Sequence, residues 1–350
     1  MESINDRIKV MIAGIGGASL GTEILKCLLL ADKYVVYGCD ISNLAYGHYQ
    51  ACFEKTFIVS REYYVDDIIR ICRRERIYYI IPGAEEPMVL LNEARSELER
   101  DSIVLVGNSS DIIKTFSNKE AVFVQLRELG FCVPHTITVQ QEGELGNASF
   151  PAIVKPSLES GGSSFVFLVQ NMEEAKVYTN FLLVNGKRPI IQEYIPEHEG
   201  EFTVGVLSLP DSALVGSIAL KRSFSNKLSI AAKMKEGIIS SGYSQGLIDS
   251  FPDVKQVSEK IATAIGSKGP INVQGRVKNG VFMPFEINPR FSASTYLRAI
   301  AGFNEIDIFL CAITGREYCR PDKIQYGYYL RSFTEVFVNK DMVKNDSLDY

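Results

Sequence analysis

The chain has 350 residues, 46% of them hydrophobic and 23% charged, the profile of an ordinary globular protein long enough for two or three domains. A formal net charge of -5 without a basic stripe excludes a general nucleic-acid binder and a polybasic membrane-surface protein. No apolar run approaches the roughly 20 residues that span a bilayer, and seven scattered cysteines without a CxxC pair point to neither a disulfide framework nor a zinc site.

The N-terminus, MESINDRIKVMIAGIGG, places charges before its apolar run and offers no small-residue cleavage site, so it reads as the start of a cytoplasmic protein. Residues 8–15, IKVMIAGI, predict a buried parallel strand, and GGASLGTEILKCLLLAD a glycine turn and an amphipathic helix. YVVYGCDIS is a second strand ending in Asp40. VDDIIRICRRERI has helical period, YYIIPGAEEP is a strand and turn, MVLLNEARSELERD a helix and IVLVGN a fourth strand. Strands alternating with helices at this spacing predict a doubly wound parallel α/β domain, over residues 1–113.

The pattern then changes. Helices over 111–136 lead into FPAIVKPSLESGGSSFVFL, which is strand, glycine-rich loop and strand: a hairpin rather than a crossover. PIIQEYI, GEFTVGVLSL, ALVGSIALKR, PINVQGRVKNG and VFMPFEINP predict further strands, with helices at 253–267 and 295–313 and a closing strand YYLRSFTEVFV. The second half is α+β with largely antiparallel sheets, divided as 114–188 and 189–338, and the polar tail 339–350 is expected to be loose.

Several groups along this chain carry chemistry. Gly14, Gly16, Gly17 and Gly21 follow the first strand and open a helix, with Asp40 ending the second strand, the context of a dinucleotide site. Position 19 is Ser19 where that fingerprint has its third glycine, so close helix packing explains the glycines equally well. Lys155 ends an apolar strand, and Glu159, Ser160, Gly161, Gly162, Ser163 and Ser164 follow; glycine N–H groups can surround phosphate oxygens while a lysine supplies charge. The backbone of Glu193 and Ile195, in the segment that also holds Tyr194, is able to read an adenine edge and Glu201 to hold ribose hydroxyls, although solvated acids flanking a buried strand are the plainer reading of the same pattern. KNG joins two strands that set Gln274 opposite Glu286, with Asn288 beyond, an oxygen-donor set suited to Mg²⁺. Arg290 then stands ready to neutralise a transferring phosphoryl group. Glu286, Asn288 and Arg290 share one face if the strand continues through them. Lys221 and Arg222 end another strand. Glu85 and Glu86, in PGAEEP, form either an amine site or a solvated turn.

Lys119, Lys155, the ESGGSS loop, QEYI, Glu201, Gln274 and FEINPR occur in the order and approximate spacing of the ATP-grasp superfamily. The whole arrangement resembles one synthetase unit of the carbamoyl-phosphate synthetase large chain. The resemblance implies a pre-ATP-grasp α/β domain followed by a two-subdomain ATP-grasp fold. It implies that Lys119 and Lys155 contact ATP phosphates, that residues 159–164 close over them, and that Glu193, Tyr194 and Ile195 hold adenine and Glu201 ribose. Gln274, Glu286 and Asn288 would hold Mg²⁺ or Mn²⁺, Arg290 would steady the phosphorylated intermediate, and Lys221 and Arg222 would border the acceptor. That group usually has a serine-arginine pair after NPR, whereas Ser292 and Ala293 stand near that place in this chain.

The expected activity is ATP- and Mg²⁺-dependent activation of a small carboxylate as an acyl phosphate for attack by an amine, in a cytoplasmic enzyme with small-molecule substrates and a homodimer as the default assembly. Bicarbonate activation competes within that class. An NAD-dependent oxidoreductase or epimerase, and a non-catalytic ATP-binding protein, are the rivals outside it.

Overall fold

A computed structural model describes residues 7–116, 118–141, 145–146, 148–157, 165–225, 227–234 and 237–344, with Lys119 described by its backbone alone. The chain divides into two units: residues up to 110 with 291–324 and 331–350, and residues 111–290 with 325–330.

In unit 1, β1 (Ile8–Ala13), β2 (Tyr34–Asp40), β3 (Lys55–Ile58), β4 (Tyr79–Pro82) and β5 (Val104–Leu105) form a parallel sheet in the order β3-β2-β1-β4-β5. The helices α1 (Leu20–Ala31), α2 (Tyr64–Glu75), α3 (Glu85–Glu93) and α4 (Arg95–Arg100) connect these strands. α2 shows why: Ile68, Ile69, Ile71 and Cys72 are buried while Arg70, Arg73 and Arg74 face solvent, an apolar stripe of helical period. Met11, Ala13, Tyr37, Phe57 and Ile80 from the strands complete that core with Leu91 and Leu98. The doubly wound fold is as expected from the alternation; β3 is a strand the periodicity missed, because KTFI is four residues long.

The glycines after β1 serve packing. A Cβ on Gly21, or one on Gly83, would stand 2.0 Å from the Gly14 carbonyl oxygen, and the Gly21 N–H donates to the Gly83 carbonyl at 3.0 Å. α1 therefore meets the strand ends backbone to backbone. Asp40 is likewise engaged: its Oδ2 accepts from the Ile15 N–H at 2.8 Å and its Oδ1 from the Ser42 N–H at 3.0 Å. Gly21→Ala is expected to destabilise the protein by about 1–3 kcal/mol through overpacking, read from the midpoint of a urea melt.

Unit 2 contains α5 (Ser110–Phe116), whose buried Ile112 and Phe116 join its core, and α6 (Lys119–Glu128), capped by Asn118, whose side chain accepts from the Glu120 and Ala121 N–H groups. A four-stranded sheet follows in the order β6 (Thr136–Thr138), β9 (Pro189–Glu193), β7 (Ala152–Pro156), β8 (Phe167–Val169), backed by α7 (Met172–Val184). Next come β10 (Glu201–Ser208), β11 (Leu214–Arg222), the hairpin β12 (Ile230–Met234) and β13 (Gly237–Ser240), then β14 (Gly246–Ile248), α8 (Pro252–Ala264), β15 (Pro270–Lys278) and β16 (Val281–Asn288). A six-stranded sheet runs β16-β15-β10-β11-β14-β17, with antiparallel neighbours. Its last strand, β17 (Gly327–Tyr329), is much shorter than the strand expected over 328–338.

Between β16 and β17 the chain returns to unit 1 through α9 (Thr295–Ile300) and α10 (Glu305–Ile313), where a single helix was expected over 295–313. Side-chain bonds hold the return: Asn304 donates to the Cys27 carbonyl at 2.9 Å, and Asp307 accepts from the Lys33 ammonium at 3.0 Å and the Tyr34 hydroxyl at 2.7 Å. These contacts place 291–324 with the parallel sheet, a division the sequence boundaries at 188 and 338 do not make. Among the described residues, no helix is long and apolar enough to cross a membrane.

Candidate functional site

In the six-stranded sheet, side-chain alternation separates two chemistries. Phe202, Val204 and Val206 of β10, Ile271 and Val273 of β15 and Ile287 of β16 pack toward Val254 and Ile261 of α8. The opposite face therefore carries Glu201 and Thr203 of β10, Asn272, Gln274 and Arg276 of β15 and Glu286 and Asn288 of β16. Register brings the expected metal ligands together: Gln274 lies opposite Glu286 and Asn272 opposite Asn288. The Gln274 amide nitrogen donates to Glu286 Oε2 at 2.8 Å, and the Thr203 hydroxyl donates to Asn272 Oδ1 at 2.8 Å.

A bulge explains the proline of MPFEIN. Gln274 pairs with Glu286 but Gly275 with Pro284, so Phe285 is the extra residue on β16. β16 is an edge strand, and a bulge on an edge strand tolerates a residue without an N–H. The Phe285 carbonyl accepts from Lys155 Nζ at 3.1 Å, and the same ammonium donates to Gln192 Oε1 at 2.9 Å. Lys155 is only 7% exposed and lies 5.6 Å from the Phe123 ring centroid. A buried lysine is thus held beside the strand that carries Glu286.

Arg276 is the second buried cation of this face. Its Nε donates to Glu201 at 2.7 Å, Nη1 to the Ile195 carbonyl at 2.7 Å and Nη2 to the Ile238 carbonyl at 2.7 Å, over the Tyr194 ring at 4.8 Å. Burial works against the charge, but Glu201 foremost outweighs it and holds the guanidinium pKa above its ordinary value. Nearby, Tyr194 donates to Glu197 at 2.5 Å and accepts from the Ile238 N–H at 2.9 Å. Burial raises the Glu193 carboxyl, yet Lys278 at 2.5 Å and the His135 N–H at 3.2 Å outweigh it, so its pKa is lowered. The Ile195 N–H, by contrast, has no acceptor among the described residues.

Three further expected site residues have these surroundings. Glu201 is fully buried; its Oε2 accepts from Arg276 at 2.7 Å, and its Oε1 lies 3.3 Å from Arg222 without a hydrogen bond. Arg222 is buried too, its Nη2 donating to the carbonyls of Ser241 at 2.7 Å and Tyr243 at 3.0 Å. Lys221 sits opposite Phe202 in register and so lies on the α8 face, away from Glu286. In addition, β16 ends at Asn288 and Arg290 lies in the following bend, so strand alternation does not set its direction. Residues 159–164 and the Lys119 side chain lie outside the described residues.

Residues 189–336, which include all of β9 to β16, match the family model described as ATP-grasp in the biosynthetic pathway with Ter operon. The carbamoyl phosphate synthase large chain of Clostridium botulinum (strain Alaska E43) is 26% identical over 326 residues, covering 87% of this chain. The chain carries an ATP-grasp domain. It spans 29% of the length of that relative and 30% of the length of the Sulfolobus acidocaldarius large chain, which is 22% identical over 89% of this chain. Among solved structures, N5-carboxyaminoimidazole synthetase from Staphylococcus aureus complexed with ADP superposes with a TM-score of 0.65 at 16% identity, covering 91% of this chain and 80% of that one. The biotin carboxylase domain of Hydrogenobacter thermophilus 2-oxoglutarate carboxylase, solved with MgADP and bicarbonate, gives 0.66 at 16%, covering 91% of this chain and 73% of that one. These likenesses show the fold.

Within this ATP-grasp domain the sequence reading overlooked Asn272, Arg276 and Gln192. A signal for the first two was present: in PINVQGRVK polar residues alternate with apolar ones from Asn272 through Gln274 to Arg276, so whatever Gln274 faces, they face as well. Gln192 opens the QEYI segment, but only the fold brings it to Lys155.

Proposed function

We propose that the protein is an ATP- and Mg²⁺-dependent ligase that activates a small carboxylate for attack by an amine. The observation that carries this reading is the face of β15 and β16, where one carboxylate and three amides share a surface beside a buried lysine. Gln274, Glu286 and Asn288 supply hard oxygen donors on two paired strands, which fits Mg²⁺; among the described residues no cluster of three His, Cys, Asp or Glu forms. One carboxylate cannot neutralise a divalent ion, so the remaining charge has to come from nucleotide phosphates. Bound there, the metal supplies charge neutralisation to those phosphates.

The protein's own residues do the rest. The Lys155 ammonium, fixed by Gln192 and the Phe285 carbonyl, presents positive charge to the nucleotide without having to be ordered on binding. The Ile195 N–H offers its donor to a ring nitrogen of adenine, while Arg276 holds the adjoining carbonyl. Arg290 neutralises the phosphoryl group in flight. A carboxylate oxygen attacks the γ-phosphorus, the bond to the ADP oxygen breaks, and an acyl phosphate forms. The amine nitrogen then attacks the carbonyl carbon, phosphate leaves with the C–O electron pair, and the nitrogen loses its proton. All seven cysteines are free thiols, which supports a cytoplasmic setting.

Thermal-shift titration with ATP, ADP and NAD, each with and without Mg²⁺, tests the reading. A ligand that binds only the folded state raises Tm by mass action, by about 2.7 kcal/mol of added stability at a hundredfold excess over Kd. ATP and ADP are expected to stabilise, more so with Mg²⁺; stabilisation by NAD alone would overturn the assignment.

A further inference from the structure

Unit 1 contains a cleft of about 150 Å³ at the carboxyl ends of β1, β2 and β4, lined by Gly14, Asp40, Arg61, Tyr64, Glu86 and Leu90, among others. In the order β3-β2-β1-β4-β5 the chain reverses its direction of progress beside β1, and the crevice outside the strand ends at such a point is where open parallel sheets bind ligands. We propose that this cleft is a second small-molecule site, for a small α-amino acid in its zwitterionic form.

Three observations carry the assignment. The first is Tyr64: it is 7% exposed, and its hydroxyl is buried with no hydrogen-bond partner among the described residues. A buried hydroxyl without a partner is an exception that calls for a ligand or water. The second is Asp40, whose carboxylate is fixed at the end of β2 by the Ile15 and Ser42 N–H groups. Each oxygen accepts one of these bonds and keeps a lone pair for a further donor. Burial foremost, then Cys39, and after it Asp40 and Glu86 push the Tyr64 phenol pKa up, so both carboxylates lie close to the hydroxyl, where an ammonium group would balance them.

The third is the rim pair, Arg61 Nη1 to Glu86 Oε1 at 2.9 Å, with side chains 69% and 62% exposed. An ion pair this exposed is weakly held. A zwitterion can exchange with it, its ammonium taking Glu86 and its carboxylate taking Arg61, so that no charge is left bare. The α3 N-terminus adds to the carboxylate side, since Ala84 at the N-cap gives no side-chain cap to the first-turn N–H groups. Ile41, Pro87 and Leu90 provide apolar wall for a short side chain. A cleft of this size suits a ligand of few heavy atoms better than a nucleotide, whose base, sugar and phosphates need a larger pocket.

Isothermal titration of the full chain with L-alanine, ethylamine and propionate, in the absence of nucleotide, tests the site. Alanine should bind saturably, with ethylamine weaker and propionate silent. Glu86→Gln should weaken alanine binding about tenfold, and Tyr64→Phe, which keeps the ring and the packing, by roughly threefold to tenfold. Absence of saturable heat with alanine, equal binding of ethylamine, or unchanged affinity in both variants would overturn the proposal. Tm values of the two variants close to that of the unaltered protein show that any loss is local. Since no nucleotide is present, failure here leaves the ligase reading intact, and failure of nucleotide binding leaves this site intact.

Discussion

Glu286→Ala is expected to lower ATP-dependent turnover by about two to three orders of magnitude. Glu286 is the one carboxylate among the three expected metal ligands, and it lies opposite Gln274 on the paired strand. Removing it leaves two neutral amides, which cannot offset the charge of a divalent ion and the phosphates it joins. The backbone should survive, because β16 is an edge strand and Glu286 is only half-buried. The measurement is ADP and phosphate release at increasing Mg²⁺ concentration, with Tm as the control for folding. An upward shift of the Mg²⁺ requirement together with a fall in maximal rate is the expected pattern. Glu286→Gln separates charge from shape: it keeps the side-chain volume and should lose nearly as much activity. Full turnover in either variant would remove Glu286 from the metal site, and the ligase reading would lose its principal support.

Arg276→Ala should destabilise the protein by about 3–5 kcal/mol, the cost of breaking a buried ion pair by removing one partner. Glu201 would keep its buried charge with only Arg222 at 3.3 Å, and the Ile195 and Ile238 carbonyls would each lose a donor held at 2.7 Å. The pair lies in the low-dielectric space of unit 2, so salt should screen it little. Urea denaturation at low and high ionic strength measures both effects. The double variant Arg276→Met with Glu201→Gln should recover only part of the loss, since Arg222 then keeps a buried guanidinium without its carboxylate. A single-variant loss below about 1 kcal/mol would mean that water reaches Glu201 and that the arginine is not the tie it looks to be. The same variant should raise the KM for ATP more than it lowers kcat, because Arg276 holds the carbonyl of Ile195 and not the reacting phosphate.

Much of the fold was legible in the sequence because it follows from local pattern. The alternation of apolar runs with amphipathic helices gave the parallel sheet of unit 1, and KNG between two strands gave the β15–β16 hairpin with Gln274 facing Glu286. Failures came where a short-range rule was asked to give a long-range answer. KTFI was too short to show a period. Lys221 and Arg222 were read as a pair, although consecutive strand residues face opposite ways; the strand rule itself contradicted that reading. Arg290 was assigned a direction by extending a strand that stops at Asn288.

By itself, the sequence determined which residues are apolar at which period, hence the strands, the helices and the polar face of β15 and β16. It also determined the order of lysine, glycine loop and FEINPR that marks the ATP-grasp domain. Only the tertiary structure decided what each charged group meets. Glu201 meets two arginines, Arg276 and Arg222, that no local pattern connects to it; Lys155 meets Gln192, 37 residues on, and Phe285, 130 residues on. The reason is physical: secondary structure is fixed by neighbours a few residues apart, whereas the partner of a buried charge is fixed by which sheets pack together, and no local period records that.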